Sequence, residues 1–317
     1  MDIVAIGEIL IDFVATDSAD LGTATAFISA AGGAPANVAV AASRLGARAA
    51  LVGAAGDDPF GAQSRRVLEE NGVGTSGLQT VKERTTLAFA SLVPGSDADF
   101  LFYRGADAAL ESQMLPLDLI GSAACVYVSS MALLAEPARS ATLAAIMHGK
   151  SSGALVAVDP NLRPSSWASV GAAREAIRPL LEHADVVKVN EAEALSLTGL
   201  PKIDAAVNAL SGTGKLLVVT RGRRGCVWRW RDAGGEIDAP EVEVVDPIGA
   251  GDAFMGALLA ELCRLGCTGR RFWTLRRDHL ESTLRFACAA GAAACTRRGA
   301  IPALPTRDEV ESLVISR

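Results

Sequence analysis

From about residue 110 to about 265 the chain alternates short β-branched runs with longer stretches rich in alanine and leucine. The runs Cys125–Ser129, Ala154–Val158, Val186–Val189 and Leu216–Thr220 predict strands. The stretches near Ala138–His148, Ala172–Leu181, Glu191–Leu197 and Asp204–Leu210 predict helices. Such alternation builds a parallel sheet covered on both faces, and the unbroken apolar character of Leu155–Val158 and Leu216–Val219 suits strands with no wet side. Sheets of this kind bind ligands beyond the carboxyl ends of their strands. The segments Asp159-Pro160-Asn161-Leu162-Arg163, Asn190-Glu191-Ala192-Glu193 and Thr220-Arg221-Gly222 are therefore candidate site segments.

Four extended stretches do not fit the alternation: Ile9–Thr16, Ala26–Ala30, Thr86–Val93 and Asp99–Arg104. The last two are joined by Pro94-Gly95-Ser96-Asp97, which has hairpin-turn composition. These stretches predict a small β-sheet set apart from the main one, placed as a lid over the site. The sequence carries no repeat, charge block or Pro/Ser-rich linker, so residues 1–317 are expected to form one interleaved unit. One face of the small sheet, bearing residues such as Phe89, Phe100 and Phe102 according to register, would lie beyond the reach of the main domain. An uncovered apolar sheet face calls for a partner, and lid-to-lid pairing would give a C2 homodimer.

The length of 317 residues allows two domains, or one large domain with a small addition, at roughly 150 residues each. With 50% hydrophobic and 21% charged residues the composition is that of a soluble globular protein. Thirty Lys and Arg against 36 Asp and Glu give a net charge of −6, which argues against nucleic acid as a partner. A membrane role is not expected either. The longest uncharged run, Leu21–Ser43, is interrupted by Gly32-Gly33, Pro35 and Asn37, and no basic and apolar leader precedes the first strand, Met1–Gly7. Six cysteines without a Cys-x-x-Cys pair, beside only three histidines, argue against zinc and for free thiols in the cytoplasm.

The common nucleotide fingerprints are absent. Gly249-Ala250-Gly251 has Phe254 three positions on, and Ser211-Gly212-Thr213-Gly214-Lys215-Leu216 lacks the spacing and the hydroxyl of a P-loop. Two other glycine segments each lead into an apolar helix. In Asp246-Pro247-Ile248-Gly249-Ala250-Gly251-Asp252 the glycines leave amides uncovered at a helix start, a place for an anion or a phosphoryl group in transfer. Asp252 is then either a capping carboxylate or a general base. In Gly32-Gly33-Ala34-Pro35-Ala36-Asn37 the glycine pair lets a ligand approach the backbone, and Asn37 offers a donor and an acceptor to a polyhydroxyl molecule. The same residues also suit a plain turn with a capped helix.

Taken in order, Gly7-Glu8-Ile9-Leu10-Ile11-Asp12-Phe13, Gly32–Ala39, Asp159–Arg163, Gly249–Phe254 and Thr296-Arg297-Arg298-Gly299-Ala300 resemble the ribokinase-family (PfkB-type) carbohydrate kinases over essentially the whole chain. The nearest likeness is to the fructokinase branch. The resemblance implies a three-layer αβα sandwich with a mostly parallel central sheet and a β-sheet lid. Sugar would bind between them, and ATP with Mg2+ along the carboxyl edge of the sheet. It implies Asp252 as general base and Gly249, Ala250 and Gly251 as the anion hole. On the sugar it implies Asp12, Gly32, Gly33 and Asn37, with Arg104 and Arg163. On the nucleotide it implies Asn190, Glu193, Thr220 and Gly222 with Gly249 and Gly251, Glu193 reaching Mg2+ through water. Asp246 and Ile248 would help to hold a monovalent cation, K+.

The chain departs from the family where Asp246-Pro247 replaces the usual Asp-Thr, losing a hydroxyl and an N–H but keeping a carbonyl. The implied activity is phosphorylation of fructose to fructose 6-phosphate. A 2-keto-3-deoxygluconate kinase or another ribokinase-family sugar kinase is the alternative, and a non-catalytic sugar or nucleotide binder of the same fold a distant one.

Overall fold

The computed structural model describes residues 1–91, 99–212 and 214–315. Strands alternate with helices through most of the chain. In chain order the strands begin with β1 (Ile3–Ile6), β2 (Leu10–Ala15), β3 (Phe27–Gly32), β4 (Ala49–Gly56), β5 (Gly74–Val81), β6 (Leu87–Ser91) and β7 (Asp99–Tyr103). They continue with β8 (Cys125–Val128), β9 (Leu155–Val158), β10 (Val186–Asn190), β11 (Leu216–Thr220), β12 (Cys226–Trp230) and β13 (Ala233–Ile237). Nine of them form one sheet in the order β13-β12-β11-β10-β9-β8-β1-β4-β5. All neighbours from β11 to β5 pair in parallel, and β12 and β13 close one edge as antiparallel strands.

The main sheet separates two apolar cores. On one side Ile3, Ala5, Tyr127, Val186 and Val218 pack against the helices Ala34–Arg44, Ala250–Arg264 and Arg277–Ala294. On the other, Val4, Val126, Val156, Val187 and Val219 pack against Ala138–Ser151 and Val170–His183. Successive strand residues point to opposite faces, and here both faces are apolar, as the unbroken runs require.

The remaining four strands form the small sheet, ordered β3-β2-β6-β7. All four extended stretches read from the sequence lie in it. The β6–β7 pairing is antiparallel, with Phe89 opposite Leu101. The expected turn at Pro94–Asp97, and Leu92 and Val93 at the end of the third stretch, lie outside the described residues.

Register divides the small sheet's aromatic residues between its faces. Phe13, Phe89, Leu101 and Tyr103 share one face, while Asp12, Phe100 and Phe102 share the other. The three phenylalanines named from the sequence are thus split: only Phe89 lies on the face away from Asp12.

Candidate functional site

Two helices bring the two glycine segments together. Gly33, at φ 104°, caps the helix Ala34–Arg44, and Gly249, at φ 81°, caps the helix Ala250–Arg264. The helices touch at Gly256, where the space for a side chain is filled by Ala41 and the Val38 carbonyl. This close crossing sets Asn37 against Asp252: the Asn37 Nδ2 donates to Asp252 Oδ2 at 2.8 Å, with both residues buried. The Oδ1 of Asn37 is buried without a hydrogen-bond partner among the described residues. Such an orphan acceptor costs about 1–3 kcal/mol, and a ligand hydroxyl would satisfy it.

Asp12, on β2, faces the same space. Its carboxylate fills the position a Gly32 side chain would take, so Gly32 is needed for the approach of the β3 backbone. Burial first, and then the nearby charge of Asp252, push the Asp12 carboxyl up to about 7. Burial likewise raises Asp252 to about 6, opposed by the Asn37 hydrogen bond. Arg163 favours the ionised form of both carboxyls and lies over the Phe100 ring at 5.1 Å, bridging the main domain and the small sheet. Arg104 is committed elsewhere: its Nε donates to buried Asp107 at 2.9 Å.

Asp252 stands in the first turn of its helix, yet no side-chain hydrogen bond caps that helix. The amides of Gly251 and Asp252 have no protein acceptor among the described residues, whereas Ala250 N donates to the Pro247 carbonyl and Ala253 N to the Gly249 carbonyl. Free amides at a helix start, with the dipole behind them, attract an anion.

At the ends of β10 and β11 lie the nucleotide-side candidates. Asn190 and Glu193 form a capping box: Asn190 Oδ1 accepts from Glu193 N, and Glu193 Oε2 accepts from Asn190 N, each at 2.8 Å. The other Glu193 oxygen accepts from Leu162 N. With both oxygens held by amides, Glu193 suits a contact to metal through water better than direct ligation. No cluster of three or more metal-ligating side chains forms among the described residues. Thr220 ends β11, and Gly222 at φ 57° begins the turn that follows, with open space where a side chain would stand.

The Asp246 carboxylate is buried and accepts from Ile248 N at 2.9 Å and Gly299 N at 2.8 Å, tying its loop to the Thr296–Ala300 segment. The Pro247 carbonyl, kept despite the lost threonine, receives the Ala250 amide.

Two residues of this region did not stand out in the sequence. Glu8, raised by burial to about 7, accepts from Ala34 N at 3.1 Å and from Ser129 Oγ at 3.1 Å. It joins the chain entering the small sheet to the chain leaving it. Lys188, buried in β10, donates to Asp159 Oδ2 at 2.6 Å. Its signal was present in the sequence: a single ammonium inside an apolar strand requires a buried partner.

Relatives known from sequence and structure carry the same framework. A probable fructokinase-4 of Arabidopsis thaliana is 44% identical, over 98% of this chain and 96% of its own. The crystal structure of a fructokinase from Xylella fastidiosa with bound ATP has a TM-score of 0.90 at 33% identity, covering 99% of this chain and 98% of that one. A putative ribokinase II of E. coli, in complex with ATP and Mg2+, has a TM-score of 0.86 at 26% identity, covering 100% and 99%. The family model described as pfkB family carbohydrate kinase matches residues 1–307. With this match along nearly its whole length, and with the glycine-capped helices and Asp252 in the order the family resemblance requires, the chain belongs to the pfkB family of carbohydrate kinases, enzymes that use ATP.

Proposed function

We propose that this kinase transfers the γ-phosphoryl group of ATP to the primary hydroxyl of fructose, giving fructose 6-phosphate. The observation that carries the assignment of roles is the buried Asn37–Asp252 hydrogen bond beside Asp12, with the Asn37 acceptor left without a donor among the described residues. Asp12, Gly32, Gly33 and Asn37 then hold sugar hydroxyls, and Arg163 closes the pocket from the main domain. Asp252 takes the proton of the attacking hydroxyl. The P–O bond to ADP breaks as the new one forms, and the amides following Gly249 stabilise charge on the phosphoryl group in flight. No covalent intermediate with the protein is needed.

Asn190, Glu193, Thr220 and Gly222 face the nucleotide. Glu193 would hold Mg2+ through water, and the ion would offset the charge of the phosphates. Asp246 and Ile248 belong to a loop suited to a K+ ion. The sugar is held between the main domain and the small sheet, which acts as a lid interleaved along residues 1–317, and lids of two copies pair into a homodimer. No helix among the described residues is long and apolar enough to cross a membrane. All six cysteines are free, in keeping with a cytoplasmic enzyme.

A carboxylate-bearing substrate such as 2-keto-3-deoxygluconate would favour a forked arginine pair. The engagement of Arg104 by Asp107 leaves Arg163 alone for that task, which favours the neutral sugar. ADP release measured over fructose, ribose, 2-keto-3-deoxygluconate, adenosine and glucose tests the reading. Fructose should give the highest kcat/KM; another clear winner removes the substrate assignment, and binding of sugar and ATP without ADP release removes catalysis.

A further inference from the structure

Lys188 is the one ammonium in the β10 strand, with 5% of its surface exposed. A charge placed there is strongly disfavoured by desolvation unless it is well paired. Asp159, at the end of β9, supplies one partner, and it is the only hydrogen-bond partner of Lys188 among the described residues. An ammonium has three N–H donors, so two remain unused. Asp159, Glu193 and Asp252 together keep the group charged despite its burial.

The side chain points along the sheet face that carries the Ala250–Arg264 helix, and its Nζ stands 2.8 Å from where a Gly251 side chain would begin. The unpaired amides of Gly251 and Asp252 belong to that same helix start. Two free ammonium N–H groups and two free amides thus lie beside one helix N-terminus. Four carboxylates, Asp12, Asp159, Glu193 and Asp252, interact across this region against two cations, Lys188 and Arg163. An incoming polyphosphate needs a cation at the point of transfer, and Arg163 lies over Phe100 on the sugar side.

We propose that Lys188 is a catalytic residue that contacts the transferred phosphoryl group directly, beside the glycine-loop amides, and that Asp159 is the positioning residue holding its ammonium over Gly251. The inference rests on the phosphoryl-transfer reading above and adds a charged wall to the anion hole. Lys188 stays protonated throughout: the proton of the sugar hydroxyl goes to Asp252, the bond to ADP breaks, and the bond to the sugar oxygen forms. The need for glycine at position 251 follows, because any side chain there would displace the ammonium.

The test compares Lys188→Met, Lys188→Arg and Asp159→Asn with the parent in turnover and in the binding of Mg-ADP with fructose, alone and with fluoroaluminate as a mimic of the phosphoryl group in flight. Lys188→Met should lose roughly 10²–10³ in kcat, the loss typical of removing one donor from an oxyanion site. Its fructose KM should stay within about threefold of the parent, since only transition-state contacts are removed. Fluoroaluminate should tighten ADP binding to the parent and should not do so in Lys188→Met. Lys188→Arg should recover part of both effects, and Asp159→Asn should lower kcat with a smaller loss of fluoroaluminate binding.

Retention of fluoroaluminate binding by Lys188→Met, or an equal weakening of ADP and fructose binding without it, overturns the proposal and leaves Lys188 a structural ion pair. If Lys188→Met does not fold, Gly251→Ala decides: its methyl displaces the ammonium, and full retention of kcat and fluoroaluminate binding overturns the proposal equally. Asp252→Asn, measured in parallel, removes the base but keeps the cradle. It should still bind fluoroaluminate, so a failure of the base assignment and a failure of the Lys188 assignment give different results.

Discussion

Four carboxyl groups near the site are pushed upward by burial: Asp252 to about 6, Asp12 and Glu8 to about 7, and Glu193. Their effects on activity and on stability run in opposite directions. Asp252 must be ionised to accept a proton, so kcat/KM should fall as pH drops through about 7 to 6, with an apparent pKa belonging to the coupled Asp12 and Asp252. A profile flat down to pH 5 contradicts this assignment. For stability, a carboxyl whose folded pKa lies above its unfolded value of about 4 favours the folded state while protonated. That contribution is complete below about pH 4 and is lost as pH rises through about 7. Thermal unfolding over the same range should show Glu8→Gln less sensitive to this rise than the parent. Asp252→Asn keeps the size of the side chain but removes the base, and should lower kcat by roughly 10²–10⁴ with a small change in Tm.

Asp252 and Asn37 could be named as candidates from the sequence because each sits in a local glycine-rich segment, while a cap or a plain turn suited the same residues. Their mutual hydrogen bond could not, since it joins residues 215 positions apart. Arg104 shows the same limit from the other side: its chemistry was legible, but its engagement by Asp107 depends on how the hairpin returns to the main domain.

At the scale of elements, strands with strong β-branched signals were legible, and β8 to β11 lie within a residue of their expected ends. The strands β4, Ala49–Gly56, and β5, Gly74–Val81, were not. Their alanine and glycine content carries little intrinsic strand preference, and pairing with β1 and with each other decides their form. The packing of the two site helices makes a prediction of its own. A methyl at Gly256 would stand 2.5 Å from the Ala41 Cβ and 3.0 Å from the Val38 carbonyl. Gly256→Ala should therefore force the helices apart at a cost of about 1–3 kcal/mol, the usual range for overpacking. Because Asn37 rides on one helix and Asp252 on the other, kcat should fall together with Tm. Calorimetry and turnover on one preparation check this, and an unchanged kcat in a destabilised variant would show that the Asn37–Asp252 contact is set locally.

At the scale of the whole molecule, the small sheet presents a face that its own chain only partly covers. Phe13 stacks on Phe89 at 5.1 Å, and Phe27 and Tyr103 meet Phe89 edge-on at 5.5 and 5.7 Å. Phe60, from the helix Pro59–Glu70, reaches Phe13 and shields one end. Beyond that end Leu101 and Tyr103 remain 48% and 59% exposed on the same face. The opposite face holds Asp12 and carries Phe100 under Arg163, so it is committed to the site. The sequence could name the phenylalanines but not assign their faces, because a shift of one residue exchanges them. An exposed aliphatic and aromatic pair beside a stacked cluster suits a second copy of the same face, related by a twofold axis. Light scattering at micromolar concentration should give about twice the 32.7 kDa chain mass, and Leu101→Lys with Tyr103→Lys should return the protein to a monomer. Since each lid would steady the other over its sugar, the monomeric variant should bind fructose more weakly while keeping its affinity for ADP, whose proposed site at the ends of β10 and β11 lies away from the lid. A parent protein that scatters as a monomer, unchanged by fructose and nucleotide, would refute the pairing and leave the kinase chemistry standing.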